Sequence, residues 1–150
     1  MERTEPATVF DRLGERPQVA AAIDWTLIDL DRDSQKIHLS FTTVDEFTNP
    51  AGNVHGGYIA AMLDECMGSA IVGLTDAKFL PATISMTIDF IQPIAVGKVL
   101  GEAHIVSMST NSAHLEAKLT DPDGRIRARA IGTYRLLAFS SASPNGPARP

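Results

Sequence analysis

Several features that mark secreted, metal-binding or nucleic-acid-binding proteins are scarce in this chain. It has one cysteine, Cys66, so it can form neither an internal disulfide nor a cysteine-rich zinc site. Its 13 lysines and arginines are outnumbered by 18 acidic residues, and the net charge of -5 gives no general attraction to nucleic acid. The start of the sequence lacks the apolar core of a signal peptide. We therefore expect a cytoplasmic protein that binds no nucleic acid.

The longest apolar stretch, Gly56–Leu74, predicts a buried helix rather than a membrane span. It carries Asp64 and Glu65 near its middle, where a bilayer makes charge costly. Small or apolar residues fill most of the opposite side, so nearly the whole circumference is expected to be covered. The apolar stripe at three- and four-residue spacing consists of Ile59, Met62, Leu63, Cys66, Met67, Ala70, Ile71 and Leu74.

The remaining pattern predicts one α+β domain. A length of 150 residues with 44% hydrophobic and 21% charged residues suits a single core. The turn at 121–124 combines aspartate, proline and glycine and predicts a hairpin. We expect a long central helix wrapped by a curved antiparallel sheet. The predicted elements are a short helix at 6–13, a hairpin of strands 21–31 and 36–44, and four strands at 82–92, 98–110, 112–121 and 125–137.

Two features near the start of the central helix suggest chemistry. The helix begins around His55, Gly56 and Gly57, and its first N–H groups lack partners within the helix. Such donors suit a carbonyl oxygen that gains negative charge. Asp64 lies among small residues on an apolar helix, where a carboxylate is costly unless it is paired or used. Alternatively, the glycines only make a tight turn that His55 caps.

The string from Thr48 to Gly68 contains Asn49, Gly52, the His-Gly-Gly sequence and Asp64, which is nine residues beyond the histidine. It resembles hot-dog-fold acyl-CoA thioesterases of the PaaI-like branch. The segment 81–106, with a strand ending in proline followed by a glycine turn, is also similar to that family. The resemblance covers roughly residues 37–137. With the strand pattern that begins near residue 21 and the polar, proline-rich composition after Phe139, we expect a domain at 20–138, an N-terminal extension at 1–19 and a flexible tail at 139–150.

The resemblance implies a role for each matching residue. Asp64 would be the catalytic carboxylate, as nucleophile or as general base. Gly56 would donate its N–H to the thioester oxygen, with His55 and Asn49 shaping that pocket. Thr83 would assist near the carboxylate, although threonine also suits any strand. The family places its active sites between subunits, so a dimer or a homotetramer is implied, with acyl-CoA as the substrate.

Other residues have weaker candidate roles. Gly57 and Tyr58 are candidates for lining the substrate pocket. Arg125 and Arg127, which alternate along a strand together with Arg129, could attract the phosphates of coenzyme A or form a solvated face or subunit contact. Cys66, Trp25, Met86 and Met108 are expected in the core, and Glu65 is expected to be structural, paired across an interface. The four histidines show no metal-ligand spacing, so neither metal nor cofactor is predicted.

Two other functions on the same fold remain open at this point. One is a hydratase or dehydratase of enoyl or hydroxyacyl thioesters, and the other is a non-catalytic module that binds acyl-CoA. The carboxylate that follows the His-Gly-Gly sequence favours hydrolysis over both.

Overall fold

The structure is a computed structural model that describes residues 8–14 and 17–139. Apart from an additional short helix, α2, the helices and strands within these residues follow the predicted order, and a 3-10 helix at Asp45–Phe47 precedes the long helix. The helices are α1 (Val9–Arg12), α2 (Gln18–Ala22) and α3 (Gly56–Leu74), and the strands are β1 (Trp25–Asp31), β2 (Lys36–Thr43), β3 (Phe79–Phe90), β4 (Gly97–Met108), β5 (Ser112–Thr120) and β6 (Ile126–Ala138).

The six strands form one antiparallel sheet in the order β1-β2-β4-β5-β6-β3. Alternating residues of β2, β5 and β6 are buried on one face, and α3 packs against that face with contacts to β2 through β6. The predicted architecture of a central helix packed on an antiparallel sheet is confirmed. The predicted hairpins β1-β2 and β5-β6 are confirmed as well.

Glycine in β4 allows the helix to approach the sheet closely. A Cβ atom at Gly101 would lie 2.4 Å from Cys66 Sγ and 2.9 Å from Phe41 Cε2. Contacts this short force side chains or backbone to shift. The buried thiol of Cys66 is thus part of the helix–sheet contact, which confirms its predicted place in the core.

Gly101→Ala is therefore expected to lower the free energy of unfolding by about 1–3 kcal/mol, the usual cost of overpacking. Urea denaturation followed by circular dichroism measures it. Gly68→Ala is the matched control: its Cβ would be an ordinary 3.4 Å from Pro81, and alanine in a helix is favoured over glycine by about 1 kcal/mol. Equal stability of Gly101→Ala and the wild type would contradict the close packing.

The helix α3 coincides with the predicted range, but it is less covered than predicted. Its apolar stripe is buried against the sheet, whereas Gly57 and Tyr58 in the first turn are exposed and Asp64 and Glu65 are half-buried. Within one chain the predicted cover on nearly all sides is therefore incomplete along this open strip. By length and hydropathy α3 could cross a membrane, a test that core helices also pass, and 56% of its most apolar window is buried in the fold.

The N-terminal region differs from the prediction in two ways. The first helix spans Val9–Arg12, within the predicted range, but residues 21 and 22 belong to α2 and not to a strand. Ala20 and Ile23 are buried, a three-residue spacing that places one face of α2 on the core. Asp24 has a φ of +46°, which separates this helix from β1.

Two further predictions concern the ends of elements. Trp25 is buried and Met86 is partly buried against the core as predicted, but Met108 is 44% exposed at the end of β4, so its predicted core position is wrong. The last three residues of β4 are all exposed. Of the predicted tail at 139–150, only Phe139 lies within the described residues, and residues 1–7, 15 and 16 of the predicted extension also lie outside them.

Candidate active site

The first turn of α3 presents a backbone donor. His55 is the N-cap, and its Nδ1 accepts a hydrogen bond from the Gly57 N–H at 2.9 Å, so the neutral ring carries its proton on Nε2. The N–H groups of Tyr58 and Ile59 bond to the His55 carbonyl. Within residues 8–14 and 17–139, the Gly56 N–H has no acceptor. This amide, at the positive end of a 19-residue helix, is free to bind a ligand oxygen.

Asn49 shapes the loop that leads into this turn. Its Oδ1 accepts hydrogen bonds from the N–H groups of Ala51 and Asn53, at 3.0 and 3.2 Å. Gly52 has a φ of +78°, which lets the chain turn back, and the His55 N–H then donates to the Phe47 carbonyl at 2.7 Å. Asn49 therefore acts on the site by holding the loop.

Tyr58 lies on the exposed side of the same turn. Its ring stacks on Phe47, with ring centroids 3.9 Å apart and an interplanar angle of 14°. The stack joins the first turn of α3 to the preceding 3-10 helix. Tyr58 and Gly57 are exposed next to the free amide, so both can contact a ligand there.

Asp64 is held by two hydroxyl groups. Its Oδ1 accepts hydrogen bonds from Tyr134 Oη at 2.7 Å and from Thr83 Oγ1 at 2.9 Å. Oδ2 accepts none from the described residues, so the carboxylate is fixed by one oxygen and open at the other. Thr83, predicted near the carboxylate, does contact it. Two donors on one oxygen orient a carboxylate well for accepting a proton or attacking a carbon.

Tyr134 is a site residue that the sequence prediction missed. It is 1% exposed on the inward face of β6. Burial, followed by the hydrogen bond to Asp64 and its negative charge, raises the pKa of the Tyr134 hydroxyl, which therefore stays protonated and donates. The sequence did contain one relevant pattern. Tyr134 is the only hydroxyl residue on a face that otherwise carries Ala128, Ala130, Gly132 and Leu136, and a buried hydroxyl needs a partner.

Glu65 has hydrogen-bond partners different from those of Asp64. Its Oε1 accepts a hydrogen bond from Trp25 Nε1 at 2.9 Å and a longer one, 3.5 Å, from Ser69 Oγ. Burial, helped by the charge of Asp64, raises the pKa of the Glu65 carboxyl even though both donors oppose the change. The partner of Glu65 in this chain is thus Trp25, while its predicted pairing across an interface stays a prediction.

Cys66 is no candidate nucleophile. Its side chain is completely buried, and burial, followed by the charge of Glu65, raises the pKa of the thiol. No group of histidine, cysteine, aspartate and glutamate suited to hold a metal ion occurs in the described part of the chain.

A cavity of about 350 Å³ opens beside Asp64. Pro81 and Leu80 of β3 form one side, while Phe10 and Leu13 of the N-terminal region form another. Its lining is mostly apolar, which suits the hydrophobic part of a ligand. The open carboxylate therefore lies on the wall of a hydrophobic cavity.

The free amide and the carboxylate of one chain are far apart. Gly56 and Asp64 are eight residues apart on α3, which is about 12 Å along the helix axis. A carbonyl that contacts both an oxyanion donor and an attacking carboxylate requires them within about 7 Å. One protomer therefore cannot apply both groups to the same carbonyl.

The two arginines predicted to bind substrate differ in their surroundings. Arg127 donates from Nε and Nη2 to Asp121 Oδ2 at 3.1 and 2.6 Å, and from Nη1 to the Pro93 carbonyl at 3.4 Å. Its guanidinium thus joins the β5-β6 turn to the β3-β4 connection. Arg125 is exposed, with only a 3.9 Å ion pair to Asp123, and its charge is accessible to a ligand.

Comparisons with known proteins identify the family of this chain. A family model described as the thioesterase superfamily matches residues 51–128, slightly more than half of the chain. In sequence, the chain is 27% identical over 120 residues to a Saccharolobus solfataricus protein named "Putative esterase", a match that covers 80% of this chain and 84% of that protein.

Solved structures share the fold. A Ralstonia eutropha JMP134 protein, described as a "putative thioesterase, phenylacetic acid degradation-related protein", superposes with a TM-score of 0.78 and 25% identity over 85% of this chain and 99% of that one. E. coli PaaI, from the phenylacetic acid degradation operon, superposes with a TM-score of 0.75 and 16% identity, and the match covers 85% of this chain and 89% of that one. A hypothetical thioesterase from Streptococcus pneumoniae, crystallised with coenzyme A, superposes with a TM-score of 0.70 and 18% identity, and the match covers 79% of this chain and 92% of that one.

The family match spans α3 and β3, the elements that carry Gly56, Asp64 and Thr83. The solved structures share the observed architecture, in which a long helix packs on an antiparallel sheet. They confirm the resemblance to the PaaI-like branch and the hot-dog fold. The chain belongs to the thioesterase superfamily.

Proposed function

We propose that the protein hydrolyses acyl-CoA thioesters to a free acid and coenzyme A, with Asp64 as the catalytic carboxylate. The observation that carries the proposal is the carboxylate itself. Thr83 and Tyr134 fix its Oδ1, its Oδ2 is open, and it lies on the wall of an apolar cavity. Thioester hydrolysis needs an activated nucleophile and an oxyanion donor. The free Gly56 amide is the donor in this proposal.

The reaction follows from these groups. With Asp64 as general base, Oδ2 takes a proton from a water molecule while the water oxygen bonds to the carbonyl carbon. The carbonyl oxygen becomes an oxyanion and accepts a hydrogen bond from the Gly56 N–H of a second protomer. The C–S bond then breaks, and the proton on Asp64 goes to the leaving thiolate. With Asp64 as nucleophile, Oδ2 bonds to the carbonyl carbon, the C–S bond breaks and the coenzyme A thiolate leaves, which gives an acyl–aspartyl anhydride. Water then hydrolyses the anhydride to the free acid and the Asp64 carboxylate, and the proton from water goes to the thiolate.

We propose that two protomers complete each site. The 12-residue strand β3 lies at a sheet edge, and its outer edge has no partner in the described residues. Long open edges of this kind favour pairing with another chain. Antiparallel pairing of two β3 edges would place two α3 helices side by side in opposite directions. Gly56 of one protomer would then approach Asp64 of the other, which overcomes the separation of about 12 Å within one chain.

The coenzyme A part of the substrate is the least constrained by the site. Two observations support coenzyme A as part of the substrate. The exposed guanidinium of Arg125 suits a phosphate, and the streptococcal thioesterase was crystallised with coenzyme A. We assign no phosphate contact to Arg127, because its donors already bond to Asp121 and Pro93.

The direct test is a panel of short, medium, long and aryl acyl-CoAs with a thiol reagent that reports released coenzyme A. The only cysteine, Cys66, is fully buried, so the native protein should give little background with the reagent. We expect release from at least one acyl class at a rate proportional to enzyme concentration. No release from any class would contradict the proposal. Loss of enoyl-CoA absorbance without release would identify a hydratase, and binding without either change would identify a binding module.

A further inference from the structure

The N-terminal helix α1 forms part of the cavity beside Asp64. Phe10, Leu13 and Pro17 line the cavity together with Leu80 and Pro81 of β3. The first three of these residues precede the strands of the fold and lie outside the matched family segment. The cavity is thus made jointly by α3 and β3, which the family model matches, and by a segment that precedes the matched residues.

Phe10 is held firmly in the wall of this cavity. Its ring meets Trp25 edge to face, with centroids 5.3 Å apart. Its Cζ lies 3.2 Å from where a Cβ would be at Gly73, so the ring rests closely on α3. Arg12 and Asp76 form an ion pair that ties α1 to the end of α3. A rigid aromatic wall of this kind limits the size of what can bind.

Trp25 is fixed in the same wall by Glu65. The 2.9 Å hydrogen bond from Trp25 Nε1 to Glu65 Oε1 sets the orientation of the indole ring. Glu65 also gives the mostly apolar lining a second acidic group besides Asp64. An acyl group with an apolar end fits this lining, whereas an acyl group that ends in a carboxylate would face the Glu65 carboxyl.

We propose that the acyl group occupies this cavity and that the N-terminal helix sets its maximum length through Phe10 and Leu13. The proposal rests on the proposed thioesterase function: with the thioester carbon at Asp64, the distal end of the acyl group meets Phe10, Leu13 and Trp25. The cavity of about 350 Å³ is more than twice a cavity of roughly 150 Å³ that binds benzene. The substrate class is therefore a medium-length alkanoyl or an aryl-alkanoyl thioester without a terminal charge.

The test measures kcat/KM over saturated acyl-CoAs of increasing length. Each added methylene that is buried raises kcat/KM by about fourfold until the chain reaches the wall. In Phe10→Ala we expect kcat/KM to rise up to an acyl length about two to four carbons greater than in the wild type. In Leu13→Phe we expect the rise to stop at a shorter acyl length. Phe139→Ala, which removes a partly exposed phenylalanine outside the cavity, should keep the wild-type profile. The same limiting length in Phe10→Ala, Leu13→Phe and the wild type would overturn the proposal.

A second measurement separates this proposal from the thioesterase function. Trp25 is the only tryptophan, so its fluorescence reports on the cavity wall alone. We expect ω-bromoalkanoyl-CoA bound to Asp64→Asn to quench it, with the unbrominated thioester as control. Binding without quenching would overturn the acyl assignment and leave the hydrolytic function intact. Quenching in a protein that releases no coenzyme A would support the cavity assignment while the proposed hydrolysis fails.

Discussion

Asp64→Asn is expected to lower kcat for thioester hydrolysis by about 10³-fold, within the range for loss of a general base or nucleophile. Asparagine has nearly the same shape, and its side-chain oxygen can still accept the hydrogen bonds of Thr83 and Tyr134. The substitution removes the negative charge and the proton acceptor at Oδ2. Binding of acyl-CoA should therefore persist, and calorimetric titration with a substrate measures it.

Asp89→Asn is the matched control, because that carboxylate is exposed on β3 and, among the described residues, pairs only with Arg129. Its kcat should equal that of the wild type. Glu65→Gln tests the neighbouring acid. Glutamine can still accept the hydrogen bond from Trp25, so we expect kcat to fall by less than tenfold. A larger loss in Glu65→Gln than in Asp64→Asn would transfer the catalytic role to Glu65.

A single turnover in ¹⁸O-water decides between the two roles of Asp64. With Asp64 as general base, the label enters only the released acid. With Asp64 as nucleophile, water that attacks the anhydride at the aspartyl carbon leaves ¹⁸O in the Asp64 carboxylate, while attack at the acyl carbon leaves an unlabelled protein. Mass spectrometry of the peptide that contains Asp64 detects this label, and its presence would establish the nucleophilic route.

The central helix could be predicted from sequence because its evidence is local. The apolar stripe has helical spacing, and the glycines after His55 mark its start, so the predicted range Gly56–Leu74 matches the observed one. The hairpins were likewise predictable from alternation and from turn residues. In contrast, α2 is five residues long and has no side-chain cap. Only the burial of Ala20 and Ile23 against the core reveals it.

The candidate site was predictable only in part, for a related reason. Asp64 stood out because a carboxylate on an apolar helix needs an explanation. Its second donor, Tyr134, is 70 residues away, and the donor to Glu65, Trp25, is 40 residues away. Such contacts depend on strand register and on which strand lies next to α3. The same applies to Arg127, whose alternation along β6 gave no sign of its bonds to Asp121 and Pro93.

Gly56→Pro is expected to lower kcat by about 10²–10³-fold, the usual cost of losing one oxyanion donor. Proline removes the N–H and is favoured at the first position of a helix. His55 already has φ −62° and ψ 140°, which a following proline permits. A Cβ at Gly56 would lie 3.4 Å from Phe90, an ordinary contact. The helix should therefore form normally, and circular dichroism and the melting temperature check that it does.

Gly56→Ala separates the donor from the added bulk. Alanine adds the same Cβ but keeps the N–H, so it should retain far more activity than Gly56→Pro. Similar losses in both variants would mean that crowding, and not the missing donor, explains the effect.

Mixing the two inactive variants then tests whether Gly56 and Asp64 act on one substrate from different chains. In a dimer of Asp64→Asn with Gly56→Pro, one site has both substitutions and the other has neither. Random pairing of equal amounts, achieved by refolding or co-expression, should restore about a quarter of wild-type activity, since half of the dimers are mixed and each has one intact site. Neither variant alone can show such recovery. Activity that stays at the level of the separate variants would mean that each chain uses its own Gly56 and Asp64, against the separation of about 12 Å on α3.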